Sequence, residues 1–301
     1  MDTTPSQSGR RQAPSPHERA VPRSLAWQSR LWKQYRRWRK ADAGADTERR
    51  PRASILLVTY DRLRMLEECV ASVLANTGDV EYELIAWDNA SSDGTADYLD
   101  AIAASHPQVR VFHHAENIGL NAVAASVRLS RGEYVLAIDD DVVRVPPGWL
   151  SEMIRAFEAV PRAGYLAANV VQDGFTNGSK PTADHYRARD YGDDVVVEHG
   201  PTGGWCTMTS RAVLKRIGNF REVPGRVFFL IDGDFAQRCA RRLYRVGIVR
   251  NVKVYHAAGL ALNKEYGYLE LCRQKYAEDP EFEAFLAATV ATIDDADGIS
   301  G

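Results

Sequence analysis

An α/β fold, with a mainly parallel sheet flanked by helices, is what these 301 residues predict. Three observations carry it. Short apolar runs at 55–58, 84–87, 109–112 and 134–138 start 25 to 29 residues apart, the length of a βα unit. The stretches between them, about 62–76, 94–105 and 120–131, have helical periodicity. Polar, acid-rich segments follow the strands, at the edge of such a sheet where ligands bind.

The chain opens on a Pro-, Ser- and Arg-rich stretch, 1–23, expected to be a disordered tail. Residues 24–41 then read as a basic amphipathic helix. Ser24 suits its start, and Trp27, Leu31, Tyr35 and Trp38 share one arc opposite Arg30, Lys33, Arg36, Arg37 and Lys40. Seven basic groups and no acid lie between residues 23 and 40, which leaves 31 basic against 40 acidic groups elsewhere. Such a helix fits three roles: a strut packed on the body, a partner-docking helix, or an anchor lying on an anionic membrane surface. Residues 42–52 read as a polar linker, and 53–293 as the catalytic-type domain. Within it, about 53–142 is the expected nucleotide-binding part and about 143–293 the acceptor-binding part.

After the fourth strand, Pro146-Pro147-Gly148 should open a helix with Leu150, Ile154 and Phe157 on one face. Residues 172–200, polar and rich in Gly and Asp, fit no regular element and read as an acceptor loop. Helices are expected at 211–218, 234–243 and 265–288, a strand at 252–255, and an acidic tail at 294–301.

The candidate site residues stand at strand ends. Asp88 closes the second strand, where a carboxylate can accept from the imide N–H of uracil or thymine; equally, 89–95 reads as a turn and helix cap. Asp139, Asp140 and Asp141 close the fourth strand. Carboxylates one residue apart can hold Mg²⁺ or Mn²⁺, hard cations that also take diphosphate oxygens; the alternative is a solvated acidic loop. Gly203-Gly204-Trp205 offers a tight turn with Trp205 as a stacking face for a sugar, or simply a core tryptophan. Asp232 and Asp234 open a helix, where an acid serves either as general base or as a cap. His256 ends a strand as a metal ligand or a structural histidine.

In order and spacing, VTYDR at 58–62, DNASSDGT at 88–95, ENIG at 116–119, GEYVLAIDDDV at 132–142, GGW at 203–205, IDGD before Arg238 and YH at 255–256 resemble family 2 of the GT-A glycosyltransferases. The likeness is strongest to its rhamnosyltransferase-like members and runs from about Ala53 to His256. It implies a GT-A, Rossmann-like fold and inverting transfer from a nucleoside diphosphate sugar to an acceptor hydroxyl, in glycan, polysaccharide or glycolipid assembly. It further implies that Asp88, Thr59 and Asn117 line the nucleotide pocket, and that Asp139 and Asp141 are the outer acids of a DxD motif. Asp140 falls with them in the donor site. Asp141 and His256 are the implied metal ligands, with Asp139 as a third. Asp232 matches the base, six residues before Arg238, with Asp234 as its alternative. The sequence departs from the family at Asp61, where Asn is common, and at Ile231, where an acid often precedes the base.

The implied partners are a UDP- or dTDP-linked donor and a glycan or lipid-linked acceptor. Rival readings are a nucleotidyltransferase, which the missing Gly-rich basic loop disfavours, and a catalytically silent sugar-binding protein on the same fold. A formal charge of −2 argues against a general nucleic-acid binder. Cys69, Cys206, Cys239 and Cys272 form no close pair, so they predict reduced thiols rather than a zinc knuckle. No apolar leader or spanning segment is seen, so the expected location is cytoplasmic, or peripheral at the inner membrane face.

Overall fold

The computed structural model describes residues 50–172 and 180–271. The tail at 1–23, the amphipathic helix at 24–41, most of the linker, Cys272 and the acidic tail at 294–301 lie outside the described residues.

Four strands form a parallel half: β1 (Ala53–Thr59), β2 (Tyr82–Asp88), β3 (Val109–His113) and β4 (Tyr134–Asp139), arranged 3-2-1-4. The central strand β1 is buried at six of its seven positions, as an apolar run covered on both faces should be. Its connections are helical. Helix α1 (Leu63–Asn76) turns Met65, Leu66, Cys69, Val70 and Val73 inward, and Asp93 accepts the N–H of Leu63 at its start. Helix α2 (Thr95–Ser105) follows Gly94, whose φ of +94° suits glycine, and α3 (Asn121–Leu129) leads to β4.

The rest corrects the expectation of a mainly parallel sheet. Beyond β5 (Val142–Arg144) and α4 (Trp149–Ala159) come β6 (Ala163–Val170), β7 (Arg187–Asp190), β8 (Val196–His199), β9 (Cys206–Ser210) and β10 (Arg245–His256). The ten-stranded sheet runs β3-β2-β1-β4-β9-β6-β10-β8-β7, with β5 paired to β10. Strand β9 runs antiparallel between β4 and β6, and β8 and β7 extend the far edge antiparallel. The sheet is therefore mixed. These strands lack βα spacing, and β7 is exposed along its whole length, so periodicity gave no warning of them.

Strands β7 and β8 also correct the reading of 172–200 as irregular. Helix α5 (Arg211–Ile217) and helix α6 (Ile231–Arg241) form, the latter three residues earlier than expected. The helix expected from 265 is interrupted: α7 (Leu260–Tyr266) stops at Gly267, whose φ is +83°, and residues from 272 are outside the description. Cys69, Cys206 and Cys239 are buried free thiols. Among the described residues, no helix is long and apolar enough to cross a membrane.

Candidate active site

The strand order reverses at β1: β2 follows on one side and β4 returns on the other. A crevice opens at such a point, beyond the C-terminal strand ends. A cleft of about 620 Å³ occupies this place, lined by Thr59, Tyr60, Arg62, Asn117, the acids 139–141 and Asp232, among others.

The register of the sheet assembles its floor. Val58 pairs with Asp139, so the ends of β1 and β4 lie side by side. The Thr59 hydroxyl donates to Asp140 Oδ2 at 2.8 Å. Antiparallel pairing of β5 with β10 sets His256 opposite Val142, and the Ala257 N–H donates to the Asp141 carbonyl at 2.7 Å. A histidine 115 positions downstream thereby reaches the acids: His256 Nε2 lies 3.0 Å from Asp141 Oδ1. Asp139, Asp141 and His256 each offer one ligand atom, all within 4.8 Å of one another.

Arg62, in the turn after β1, completes the floor. Its Nη1 lies 2.8 Å from Asp141 Oδ2 and 3.3 Å from Asp140 Oδ1. Burial pushes the Asp140 carboxyl above its ordinary range and Asp141 adds to this; Arg62 and the Thr59 hydroxyl only partly offset them. His256 shows the complementary shift. Burial pulls its pKa down, but the Asp141 and Asp139 carboxylates outweigh burial and leave it raised. Two oxygen donors and an imidazole nitrogen in this arrangement suit Mn²⁺ or Mg²⁺ better than a thiolate-seeking metal. The donor set of Asp139, Asp141 and His256 therefore fits a divalent cation.

Asp232 and Asp234 separate clearly. Asp232 is the second residue of α6 and lines the cleft; burial raises its pKa, against the opposing pull of the Gly233 and Asp232 N–H groups. It stands beside the 203–205 turn: a Cβ at Gly204 would lie in ordinary contact, 3.5 Å from the Asp232 Cβ. Asp234 points into an ion-pair network. It meets Arg238 Nε at 2.7 Å and Arg221 Nη1 at 3.2 Å, while Arg238 also caps the carbonyls of Ile217 and Asn219.

Two further candidates, Trp205 and Asp88, are buried. Trp205 is 3% exposed, its indole N–H donates to the Ala168 carbonyl at 2.8 Å, and its ring leans on His256. It is a core tryptophan that backs the site, with no open face for a sugar. Asp88 is buried, with Oδ1 accepting the Ser91 N–H at 2.9 Å and Oδ2 lying 3.2 Å from His113 Nδ1. Asn89, Tyr60 and Asn117 line the cleft near it. Asn117 Oδ1 accepts the Gly119 N–H at 2.8 Å.

Sequence reasoning gave no role to Arg62, although it stands inside the VTYDR segment. It also missed the part of the cleft wall formed by residues 227–230. Gly119 was the available signal: with φ +56°, a Cβ there would lie 1.8 Å from the Val227 carbonyl oxygen, so the ENIG turn holds this wall by backbone contact.

Comparison with known proteins gives concordant results. The profile of glycosyl transferase family 2 matches residues 54–218, more than half of the chain. An uncharacterized protein, y4gI, of Sinorhizobium fredii is 37% identical over 122 residues; the match covers 40% of this chain and 13% of that protein. The chain thus spans well under two thirds of that relative. The mannosyltransferase PcManGT from Pyrobaculum calidifontis, solved with GDP-Man and Mn²⁺, superposes with a TM-score of 0.52 at 18% identity, covering 92% of this chain and 85% of that one. GalNAc-T7, solved with UDP, GalNAc and Mn²⁺, gives 0.56 at 12% identity, over 96% and 67%. At these identities the two structures establish a shared GT-A fold.

Proposed function

The chain belongs to glycosyl transferase family 2, and from that premise we propose that it is an inverting, divalent-cation-dependent transferase acting on a nucleoside diphosphate sugar. The observation that carries this reading is the convergence of Asp139, Asp141 and His256 on the floor of a cleft that Asp232 also lines. Family membership sets aside the nucleotidyltransferase alternative.

In this reading Asp139, Asp141 and His256 would hold Mn²⁺ or Mg²⁺. A bound cation supplies Lewis-acid stabilisation of the charge that develops on the leaving group. The compared structures with Mn²⁺ support the choice of cation. Asp232 accepts the proton of the acceptor hydroxyl as that oxygen attacks the anomeric carbon. The bond from that carbon to the diphosphate breaks, and nucleoside diphosphate leaves with the bonding pair. Burial raises the basicity of Asp232, which favours this role, whereas Asp234 is held by Arg238 and Arg221.

Thr59, Tyr60 and Asn117 form the rim for the nucleotide, with Asp140 anchoring Thr59. Asp88, the proposed acceptor for the nucleobase imide N–H, also holds the turn at Ser91 and the ring of His113. The compared structures bind GDP-Man in one case and UDP in the other, so a donor panel should span both bases. The rhamnosyltransferase-like assignment rests on the sequence motifs alone. So do the division at about residue 142 and the role of 24–41 as an anchor on an anionic, inner-face membrane surface.

The test is nucleoside diphosphate release from a panel of nucleotide sugars with Mn²⁺ and with excess EDTA. Release with Mn²⁺ and its loss in EDTA are expected. Undiminished release in EDTA sinks the metal assignment, and no release from any donor sinks the transferase reading.

A further inference from the structure

In the transferase reading the cleft must hold an anion, yet its lining is poor in cations. Four carboxylates line it, those of Asp139, Asp140, Asp141 and Asp232, and among the described lining residues Arg62 is the only Lys or Arg. A nucleoside diphosphate brings further negative charge to this floor. A divalent cation offsets the charge of Asp139 and Asp141, so the diphosphate still needs a cation of the chain's own.

The geometry ties that cation to the metal-ligating acids. Asp141 is bracketed: His256 Nε2 lies 3.0 Å from its Oδ1 and Arg62 Nη1 lies 2.8 Å from its Oδ2. Arg62 Nη1 also lies 3.3 Å from Asp140 Oδ1. A metal ion that takes Asp141 as a ligand competes with both neighbours. His256 can change roles, because a neutral imidazole nitrogen is itself a ligand. A guanidinium has only N–H donors and no lone pair to give, so the ion repels Arg62 instead of recruiting it. The backbone of Arg62 is anchored meanwhile. It stands in the turn after β1, and its carbonyl accepts the Leu66 N–H at 3.0 Å in the first turn of α1. The side chain, 13% exposed, is long enough to pivot about that anchor between neighbouring anions.

We propose that Arg62 exchanges partners: it neutralises Asp140 and Asp141 in the metal-free protein, gives up Asp141 to the divalent cation, and then binds the donor diphosphate. The inference rests on the transferase reading and deepens it, by naming the side chain that couples metal binding to nucleotide binding. A guanidinium matches phosphate oxygens with parallel N–H donors and keeps its charge at any working pH. Until the ion binds, the acids hold those donors. Diphosphate affinity therefore gains from the ion in two ways, through the ion itself and through the released Arg62. By linkage, the diphosphate strengthens ion binding by the same factor.

The experiment is calorimetry on the full-length protein with UDP and GDP, in saturating Mn²⁺ and in EDTA; uridine and guanosine are read by competition against them. In Mn²⁺, Arg62→Met should bind the preferred diphosphate about tenfold or more weaker than the parent, as a charge-assisted contact is lost, while the matching nucleoside stays within about twofold. In EDTA the two proteins should differ by less than about threefold, because Asp140 and Asp141 hold the parent's Arg62. With no nucleotide, Arg62→Met should bind Mn²⁺ at least as tightly as the parent, having no guanidinium to displace. Arg62→Lys keeps the charge without the planar fork and should fall between the two. Melting temperatures in Mn²⁺ check that both variants fold. A merely structural Arg62 would weaken nucleoside and diphosphate alike, and that result overturns the assignment, as does unchanged diphosphate affinity in Arg62→Met. An equal diphosphate defect with and without Mn²⁺, or weaker Mn²⁺ binding by Arg62→Met, overturns the exchange. A parent protein that binds neither diphosphate in Mn²⁺ rejects the transferase reading itself, which separates the two failures.

Discussion

Glu83 on β2 and the acids 139–141, at the end of β4 and in the turn after it, are both places that bury carboxylates, yet their surroundings are opposite. Glu83 stands near the start of β2 and is 2% exposed. Ser54 and the Arg131 N–H each donate to its Oε1 at 2.6 Å, while Arg110 and Arg131 guanidinium groups meet Oε2 at 2.7 and 3.0 Å. Burial pushes its pKa up, but these partners outweigh burial and hold it below the ordinary value of 4.5. At the other edge of the sheet three adjacent acids share Arg62 and His256, and burial leaves the Asp140 carboxyl raised. A carboxylate surrounded by more donors than it has charge is a strut. A cluster with more acids than cations among the described residues has room for another cation. Asp234 and Asp232 repeat the contrast two residues apart on one helix.

The largest effects should separate the two kinds of acid. Asp232→Asn should lower kcat by about 1,000-fold with donor affinity retained, because it keeps shape and removes basicity. Asp234→Asn should leave turnover within a few-fold and lose about 1 kcal/mol of stability, as Arg238 and Arg221 lose a partly exposed partner. An inactive Asp234→Asn beside an active Asp232→Asn in steady-state assays would move the base by two residues.

Asp141→Asn should reduce activity at least about 100-fold and weaken Mn²⁺ binding, read by calorimetry, while the melting temperature holds. Glu83→Gln should do the reverse: about 3 kcal/mol lost in denaturant unfolding, since a buried ion-pair partner is removed, with kcat preserved. Equal stability losses in the two variants would erase the distinction between strut and site.

Arg62→Met tests the charge balance without touching a metal ligand. Removing the guanidinium should destabilise the metal-free protein by about 1 kcal/mol or more and enlarge the stabilisation that millimolar Mn²⁺ produces. A Mn²⁺-induced melting shift no larger than that of the parent protein argues against it.

The smallest effect is in the pH dependence. Asp232 must be unprotonated to act, and its pKa is raised, so kcat should fall as pH drops through a value above 3.8. Glu83 has a lowered pKa. Its contribution to stability is complete above 4.5 and is lost as pH falls through the folded-state value below that. A pH–rate profile paired with circular dichroism at each pH resolves the two losses; an acid limb that follows unfolding point for point would assign both to the fold.

The parallel half is legible in local sequence alone. Ile55–Val58, Leu84–Trp87, Val109–Phe112 and Tyr134–Ile138 are local apolar runs, and βα spacing allows them little besides a parallel sheet with acids at its C-terminal edge. The sequence also marked Asp139, Asp141, Asp232 and His256 through their order along the chain. The rest depends on contacts between distant segments. Antiparallel pairing of β5 with β10 sets His256 against Asp141, and Gly119 meets Val227 across 108 positions to hold the 227–230 part of the cleft wall. Arg62, silent as a local residue, becomes the acids' counterion once β1 and β4 lie side by side. Trp205 turns into the core because β9 enters between β4 and β6, and Asp234 differs from Asp232 because α6 directs one toward Arg238 and the other toward the cleft. Propensity and periodicity act over a turn or a strand, whereas charge balance, burial and close approach depend on what the completed sheet brings within a few ångströms.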